Sequence, residues 1–199
     1  MAKVEEKLLE TPVDKKIIKN LEVGNIIRIN GMIFTFRDKA HQKAIEFYKR
    51  KKKLPVDLNN AVIIHCGPIA KKTKEGWKIF SAGPTTSMRM EKLEEEFIKY
   101  SNISIIIGKG GMGESTAKAC GRFGVVYCTF PGGAGALAAS YIKKVKDVFW
   151  LEELGMPEAL WVFEVENFGP LIVTIDTKGR NLTEEIKTRA KERISSYIK

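Results

Sequence analysis

The most constraining feature of this chain is a short apolar strand that is followed at once by glycines. The run from Ile103 to Ile107 is β-branched apart from one serine and stops at Gly108. A continuous apolar run of this length is typical of a strand that is covered on both faces of a sheet. A short helix over residues 113–122 and another strand over 125–128 follow, and this order predicts a parallel pair of strands.

Strands and helices alternate along the rest of the chain. Strands are predicted over residues 25–35 (two short strands that meet at a turn or bulge at Gly31), 61–64, 77–81, 148–151, 161–165 and 171–175. Helices are predicted over residues 38–52, 87–100, 132–141 and 181–199, the last one amphipathic. The pattern indicates an α/β fold in which helices flank a mixed sheet. We expect one domain over residues 1–199, in which residues 1–20 are a polar lead-in.

The composition is typical of a cytoplasmic protein. No apolar run reaches the roughly 18 residues that a membrane span requires, and residues 1–20 have no apolar signal-peptide core. Cys66, Cys120 and Cys128 have neither zinc-site nor ferredoxin spacing, and an odd number argues against a disulfide framework. We therefore expect buried free thiols and no metal ion bound by this chain.

The formal net charge of +10 allows two interpretations. A strongly basic chain is a candidate for binding nucleic acid, but a lysine-rich surface is also common in thermophile proteins. The main basic run, residues 49–53, closes a predicted helix, where cations are favourable. No aromatic residues accompany this run, so the sequence favours the second interpretation.

Polar and cationic residues follow four of the predicted strands. Arg37, Arg89 and Lys109 come after three different strands, and glycines or hydroxyl residues accompany them. In α/β sheets, ligands bind at the carboxyl ends of the strands, and arginine is suited to holding a carboxylate. Three cations at one edge would suit a dianionic substrate, although each could equally be an ordinary ion-paired surface residue.

Three glycines also match a nucleotide-binding pattern. Gly108, Gly110 and Gly113 fit G-x-G-x-x-G between a strand and a helix. The pattern requires an acidic residue about 20 residues later to bind the ribose, but residues 115–146 contain no Asp or Glu. Lys109 does not occupy a Walker A position either. The glycines are better explained by close approach of the backbone to a small anion.

At these positions the chain resembles a known family. The segments that carry the resemblance are Thr35-Phe36-Arg37-Asp38-Lys39-Ala40-His41, His65-Cys66-Gly67-Pro68, Gly83-Pro84-Thr85-Thr86-Ser87-Met88-Arg89-Met90, Gly108-Lys109-Gly110-Gly111 and Glu152-Glu153-Leu154-Gly155-Met156-Pro157-Glu158-Ala159-Leu160-Trp161. They are similar, in this order, to the β-subunit of class I fumarate hydratase and of L-tartrate dehydratase, which is also the C-terminal domain of single-chain class I fumarases. Where single-chain members have Lys-Gly-Asn-Arg, this chain has Lys109-Gly110-Gly111-Met112.

The resemblance implies a fold, a reaction and a partner. The fold would be a swivelling β/β/α domain, and the reaction the reversible hydration of fumarate to L-malate, with L-tartrate dehydration as the alternative. A separate α-subunit would hold a [4Fe-4S] cluster and supply the general acid, and two β-subunits would meet in an α2β2 assembly. This chain would be inactive alone.

The resemblance also implies roles for particular residues. Thr85 would be the catalytic base, and Arg37, Arg89, Lys109 and Gly110 would bind substrate, with Lys109 the next candidate for the catalytic group. Removing a proton beside a carboxylate creates a dianion that these cations would stabilise. Asp38 and His41 are expected to support the site, and His65 to be structural. Thr86 is expected to cap the helix that begins at Ser87.

Overall fold

The computed structural model describes residues 6–197, which form a seven-stranded sheet, a separate two-stranded sheet and the helices around them. The strands are β1 Glu6–Glu10, β2 Ile26–Thr35, β3 Val62–Ile64, β4 Ile69–Thr73, β5 Gly76–Ser81, β6 Ile105–Gly108, β7 Val126–Thr129, β8 Ile142–Phe149 and β9 Leu160–Ile175. The helices are α1 Lys15–Ile18, α2 Asp38–Lys49, α3 Glu91–Ser101, α4 Glu114–Phe123, α5 Gly135–Ser140, α6 Leu151–Leu154 and α7 Leu182–Tyr197. A 3-10 turn, Ser87–Met90, leads into α3.

Five of the strands close into a ring. Its order is β2, β3, β6, β7, β9, and β9 is hydrogen-bonded back to β2. The first four run parallel and β9 runs antiparallel to them, while β1 and β8 extend the sheet. The prediction of an α/β fold with a mixed sheet flanked by helices is confirmed. Because β2, β3 and β6 are parallel neighbours, their carboxyl ends meet at one edge.

Side chains of successive strand residues pack on opposite sides of this ring. Ile105 and Ile107 belong to an inner core that is shared with Trp161. Ile106 faces outward, into a second core with Phe97 of α3. The central strand is therefore buried on both faces, which explains why its sequence is continuously apolar.

The structure differs from the sequence prediction at the N-terminus. The segment predicted as a polar lead-in contains β1, which pairs in parallel with β2, and α1. Val13 and Ile18 of this segment are completely buried. The contribution of these residues was not visible in the sequence because apolar runs of no more than two residues are separated there by charged and polar ones.

Two pairs of predicted short strands are each one long strand. β2 runs through Gly31, where φ is +97° and the pairing with β9 is irregular. A side chain at Gly31 would overlap the Thr11 hydroxyl, so the bulge there needs glycine. β9 likewise spans both of its predicted strands. β8 begins six residues earlier than predicted, because Lys143, Lys144 and Lys146 obscure the strand pattern on this sheet edge.

The hairpin of β4 and β5 is another difference from the prediction. Only β5 was predicted, at residues 77–81, and its partner β4 has a single buried residue, Ala70. A strand with four exposed residues out of five gives little hydrophobic signal. The sequence therefore predicted the second strand of the hairpin, β5, but not the first, β4.

The C-terminal helix lies apart from both cores. The predicted helix over residues 181–199 is observed as Leu182–Tyr197, and residues 198 and 199 lie outside the described part of the chain. Ile186 and Ile194 on its apolar side are each 56% exposed. The amphipathic pattern thus correctly predicted a helix, but none of the residues that the structure describes covers Ile186 and Ile194 on its apolar side.

Two further expectations can be compared with the fold. Within residues 6–197, no helix has both the length and the apolar character that a membrane crossing requires. All three cysteines are free and buried, as predicted from their spacing. Burial raises the pKa of the Cys66 thiol to about 12 and also raises the pKa values of the Cys120 and Cys128 thiols.

These thiols should be unreactive in the folded chain. A disulfide reagent at neutral pH should modify none of the three within minutes and should modify all three after denaturation, because the thiolate is the reacting form. Absorbance of the released thiol measures this directly. A Ser140→Cys variant, which places a thiol on the exposed end of α5, is the positive control. Rapid labelling of one native cysteine in the folded chain would contradict the burial described here.

Candidate active site

The predicted site residues come together at the edge where the parallel strands end. Arg37 follows β2 and Lys109 follows β6, with β3 between these two strands. The segment that carries Thr85 is bound to the same edge: the Thr85 N–H donates to the His65 carbonyl at 2.7 Å. Thr86 forms a parallel bridge with Lys109. Residues that are far apart in sequence therefore share one surface.

Ser87 fixes the strand exit that carries Lys109. The Lys109 N–H donates to Ser87 Oγ at 3.0 Å, and the Ser87 N–H donates to the Lys109 carbonyl at 3.1 Å. A side chain at Gly108 would overlap the hydroxyls of Ser87 and Tyr127. The backbone here approaches Ser87 so closely that only glycine fits.

Two of the three cations already have carboxylate partners. Arg37 Nε lies 3.2 Å from Glu158 Oε1 and 4.0 Å from Asp38 Oδ2. Arg89 Nη2 lies 2.7 Å from the same Asp38 oxygen. Lys109 makes no ion pair with any residue in the described part of the chain. Asp38 thus links the two arginines, while Lys109 is the cation that a ligand can reach without displacing a carboxylate.

Glu158 is a residue that the sequence analysis did not assign to the site. Besides pairing with Arg37, its Oε2 accepts the Lys39 N–H at 2.9 Å at the start of α2. A side chain at Gly67 would collide with the Arg37 guanidinium, so this glycine gives the arginine its space. Glu158 lies in the last segment that carries the family resemblance, and that membership was the only available signal.

The two neighbouring threonines have different environments. Thr85 is half-buried at the edge, whereas Thr86 is exposed. The expectation that Thr86 caps the following helix is wrong, because its side chain makes no capping hydrogen bond. The Ser87 N–H of that turn is instead bound by the Lys109 carbonyl.

Gly110 lies at the exposed end of the site. Its φ is +74°, a conformation that side chains rarely adopt, and its carbonyl accepts a hydrogen bond from the Tyr127 hydroxyl at 2.8 Å. The carbonyl is therefore held inward by Tyr127. This geometry is compatible with the predicted role of the glycine in admitting a small anion.

Beneath this edge lies a buried group of two imidazoles and one carboxylate. Glu94 Oε2 is 3.1 Å from His65 Nε2 and 3.6 Å from His41 Nε2, and all three side chains are completely buried. Burial alone would raise the pKa of the Glu94 carboxyl, but the imidazoles of His65 and His41 reverse this and lower it. Burial lowers the pKa of His65, although Glu94 opposes that shift. Glu94 is therefore ionised at neutral pH although its side chain is completely buried.

The sequence analysis placed His41 as a supporting residue but did not single out Glu94. A signal was present, because Glu94 follows Met90 by four residues and precedes Phe97 by three, on the apolar face of the predicted helix. An acidic residue in that position is an exception that calls for a partner. The same three side chains also have ligand atoms that lie within 4.8 Å of one another, a spacing a metal ion could use.

Two other ligands are a poor match to the chain. The three cysteines do not fit an iron–sulfur cluster, because their thiols do not come together: within residues 6–197 the one group of three potential ligands that lie within 4.8 Å of one another is His41, His65 and Glu94. The N-terminus of α4, where a dinucleotide pyrophosphate would bind, is already occupied by a carboxylate. Glu91 accepts hydrogen bonds there from the Gly113 N–H at 2.7 Å and the Thr116 hydroxyl at 2.7 Å. A second anion would be repelled.

The chain belongs to the family described as Fumarase C-terminus, whose model matches residues 2–186. It is thus a β-subunit of the tartrate dehydratase and class I fumarase family. The chain is 51% identical over 184 residues to a candidate L(+)-tartrate dehydratase β-subunit of Methanocaldococcus jannaschii, covering 92% of this chain and 94% of the relative. It is 44% identical to the L(+)-tartrate dehydratase β-subunit of Escherichia coli, covering 94% and 92%. Identity to a candidate class I fumarate hydratase of Geobacillus stearothermophilus is 40%, covering 95% of this chain and 36% of that protein.

The close packing at Gly108 gives a prediction about stability. Gly108→Ala should lower the free energy of unfolding by about 1–3 kcal/mol, the usual cost of overpacking, because the new methyl group would overlap two hydroxyls. Gly132→Ala is the control, since its methyl group would meet only the flexible Lys109 side chain. Denaturant unfolding measures both. Equal stability of the Gly108→Ala variant and the wild type would refute the packing described here.

Proposed function

We propose that this chain is the β-subunit of a two-subunit hydro-lyase that adds water to fumarate or a related four-carbon dicarboxylate. The observation that carries the proposal is the meeting of Arg37, Arg89 and Lys109 beside Thr85 at one open edge. Family membership supports the reaction class, because relatives are named as hydratases and dehydratases. The proposal includes an α-subunit, since the full-length relatives are named as β-subunits.

The charge balance at the edge suits a substrate with two carboxylates. Arg37 and Arg89 share Asp38, and Arg37 also meets Glu158, so these four side chains are close to neutral together. Lys109 adds a positive charge that is not compensated. We propose that Lys109 and the outward parts of the two arginines bind the carboxylates, and that the shared Asp38 keeps both arginines oriented.

Proton transfer at carbon requires a base and a stabilised anion. Removing the proton beside a carboxylate places a second negative charge on that carboxylate, and nearby fixed cations lower the barrier. We assign the base to Thr85. A threonine hydroxyl is a weak base, so its alkoxide must be favoured by positive charge close by. Lys109, whose backbone is bridged to Thr86, and Arg89, four residues after Thr85, would supply that charge.

The leaving hydroxyl needs activation from outside this chain. We propose that the α-subunit carries the [4Fe-4S] cluster, because the three cysteines of this chain do not meet at one place where they could hold it. The substrate would then lie between the two subunits. The open edge that bears Arg37, Thr85 and Lys109 is the surface that would face the partner.

L-tartrate dehydration is the second candidate. The relatives that match this chain over nearly their whole length are named as tartrate dehydratase subunits, whereas the relative named as a fumarate hydratase is much longer. Both substrates are four-carbon dicarboxylates and would use the same cations. The experiment is to co-express the chain with a candidate α-subunit, assemble the cluster anaerobically and assay fumarate, L-malate and L-tartrate. No turnover of any dicarboxylate by a complex with an intact cluster would contradict the proposal.

In this assembled enzyme, Thr85→Ala should lower kcat by about 10²–10⁴-fold with little change in KM, because a base acts in the proton-transfer step. Thr86→Ala is the matched control, being the same residue type one position along and exposed. Steady-state kinetics at several substrate concentrations measures both effects. A kcat near that of the wild type in Thr85→Ala, or an equal loss in Thr86→Ala, would remove Thr85 as the base.

Lys109→Ala should raise KM as well as lower kcat, because a cation that binds a carboxylate acts in the ground state and in the transition state. The loss should be at least about tenfold in kcat/KM, since a charge-assisted hydrogen bond contributes about 1.5–3 kcal/mol. Lys118→Ala is the control, because Lys118 is exposed on α4 and pairs only with Glu114. An unchanged KM in Lys109→Ala would place the substrate elsewhere.

A further inference from the structure

The buried group beneath the site reaches all three segments that carry the proposed catalytic and binding residues. His41 Nδ1 lies 2.9 Å from the Arg37 carbonyl. The His65 carbonyl accepts the Thr85 N–H, and His65 Nδ1 lies 2.9 Å from Ser87 Oγ, which in turn accepts the Lys109 N–H. Both imidazoles turn their other nitrogen toward Glu94.

We propose that Glu94 is a positioning residue for the site, because it holds the imidazoles of His41 and His65 where they contact the Arg37 carbonyl and the Ser87 hydroxyl that accepts the Lys109 N–H. This inference rests on the proposed function. Glu94 is the one acidic member of the group, and neither its oxygens nor the two imidazole Nε2 atoms make a hydrogen bond within the described residues, so the ion-pair contacts at 3.1 and 3.6 Å are what joins the three side chains. The buried charge of the carboxylate is stabilised only while both imidazoles face it, so this charge also favours one orientation of each ring.

The hydrogen atoms can be assigned from the partners. A carbonyl can only accept, so His41 Nδ1 must carry a hydrogen toward Arg37. A neutral His65 with its hydrogen on Nε2 can donate to Glu94 and accept from the Ser87 hydroxyl. His41 Nε2 faces the same carboxylate oxygen at 3.6 Å, so both rings are oriented toward Glu94.

Packing holds the group in place from the outside. The His41 ring lies edge-on to Phe97, with ring centroids 4.6 Å apart, and to Phe36 at 5.6 Å. The aromatic rings leave the imidazoles little freedom to rotate once Glu94 sets their orientation. The group therefore gives rigid support to the backbone segments that carry Arg37, Ser87 and Lys109. A shift of about 1 Å in a residue that binds substrate can lower the rate about 10²-fold.

The first test uses imidazole spectra of the isolated full chain and is independent of activity. The chain has only two histidines, so nitrogen-detected NMR of the rings gives two assignable signals without overlap. We expect both rings to show slowly exchanging N–H groups in the wild type and a changed hydrogen placement in Glu94→Gln. Unchanged ring signals in Glu94→Gln, or one equivalent of zinc in the purified chain, would overturn the proposal.

The second test measures kinetics in the enzyme assembled with the α-subunit. Glu94→Gln should raise KM and lower kcat/KM by at least about tenfold through misplaced loops, whereas Glu95→Gln, the next residue on the exposed side of α3, should stay near the wild type. A role in stability alone would reduce the amount of active enzyme and leave KM unchanged, and that result would refute positioning.

Ser87→Ala provides a second variant if Glu94→Gln fails to fold. It breaks the link between His65 and Lys109 without leaving a buried charge, and it should raise KM in the same way. Where both single variants fold, the double variant should lose no more than the worse single one, because both act through one chain of contacts. Losses in kcat/KM that add up in the double variant would show that Glu94 and Ser87 act independently, and this would contradict the proposal. If the wild-type complex turns over no dicarboxylate, the proposed function fails while the ring spectra still decide the role of Glu94.

Discussion

The architecture depends on one long strand that closes the sheet. β9 is sixteen residues long and pairs with β2, β7 and β8, so it joins the two ends of a row of parallel strands. Because the ring is closed, it surrounds the inner core, and the helices pack on its outer surface. It also holds the exits of β2, β3 and β6 in fixed positions at one edge. The convergence of distant residues such as Arg37 and Lys109 is thus a consequence of the hydrogen bonding of the sheet.

The sequence predicted the parts of the structure that have a strong local signal. The buried strand before Gly108, the parallel pair that follows and helix α2 were all found within a few residues, because apolar periodicity is a property of neighbouring residues. The edge strands β1, β4 and β8 were missed or shortened, since exposed lysines and glutamates hide their alternation. Ring closure could not be predicted, because it joins residues more than 130 positions apart, such as Ile27 and Leu171.

In the candidate site, too, the features with a local sequence signal were predicted and those that depend on long-range contacts were not. The strand exits and the family resemblance identified the cations and Thr85, whose roles stay predictions, and the structure brought them together. The carboxylates that compensate the arginines were not identified as partners, because ion pairs such as Arg37 with Glu158 have no local pattern in sequence. Glu94 could have been suspected from its place on an apolar helix face. Its two imidazole partners, however, come from other elements and only the fold shows them.

The enclosure of both histidines has a consequence for the outer surface of the protein. Imidazole is the side chain whose ordinary pKa lies between pH 5 and 8, and His41 and His65 are both inaccessible to solvent. The exterior therefore carries no imidazole that could gain or lose charge over that range. Its excess of lysines keeps the electrostatic field positive throughout, so long-range attraction to an acidic partner should depend on ionic strength much more than on acidity.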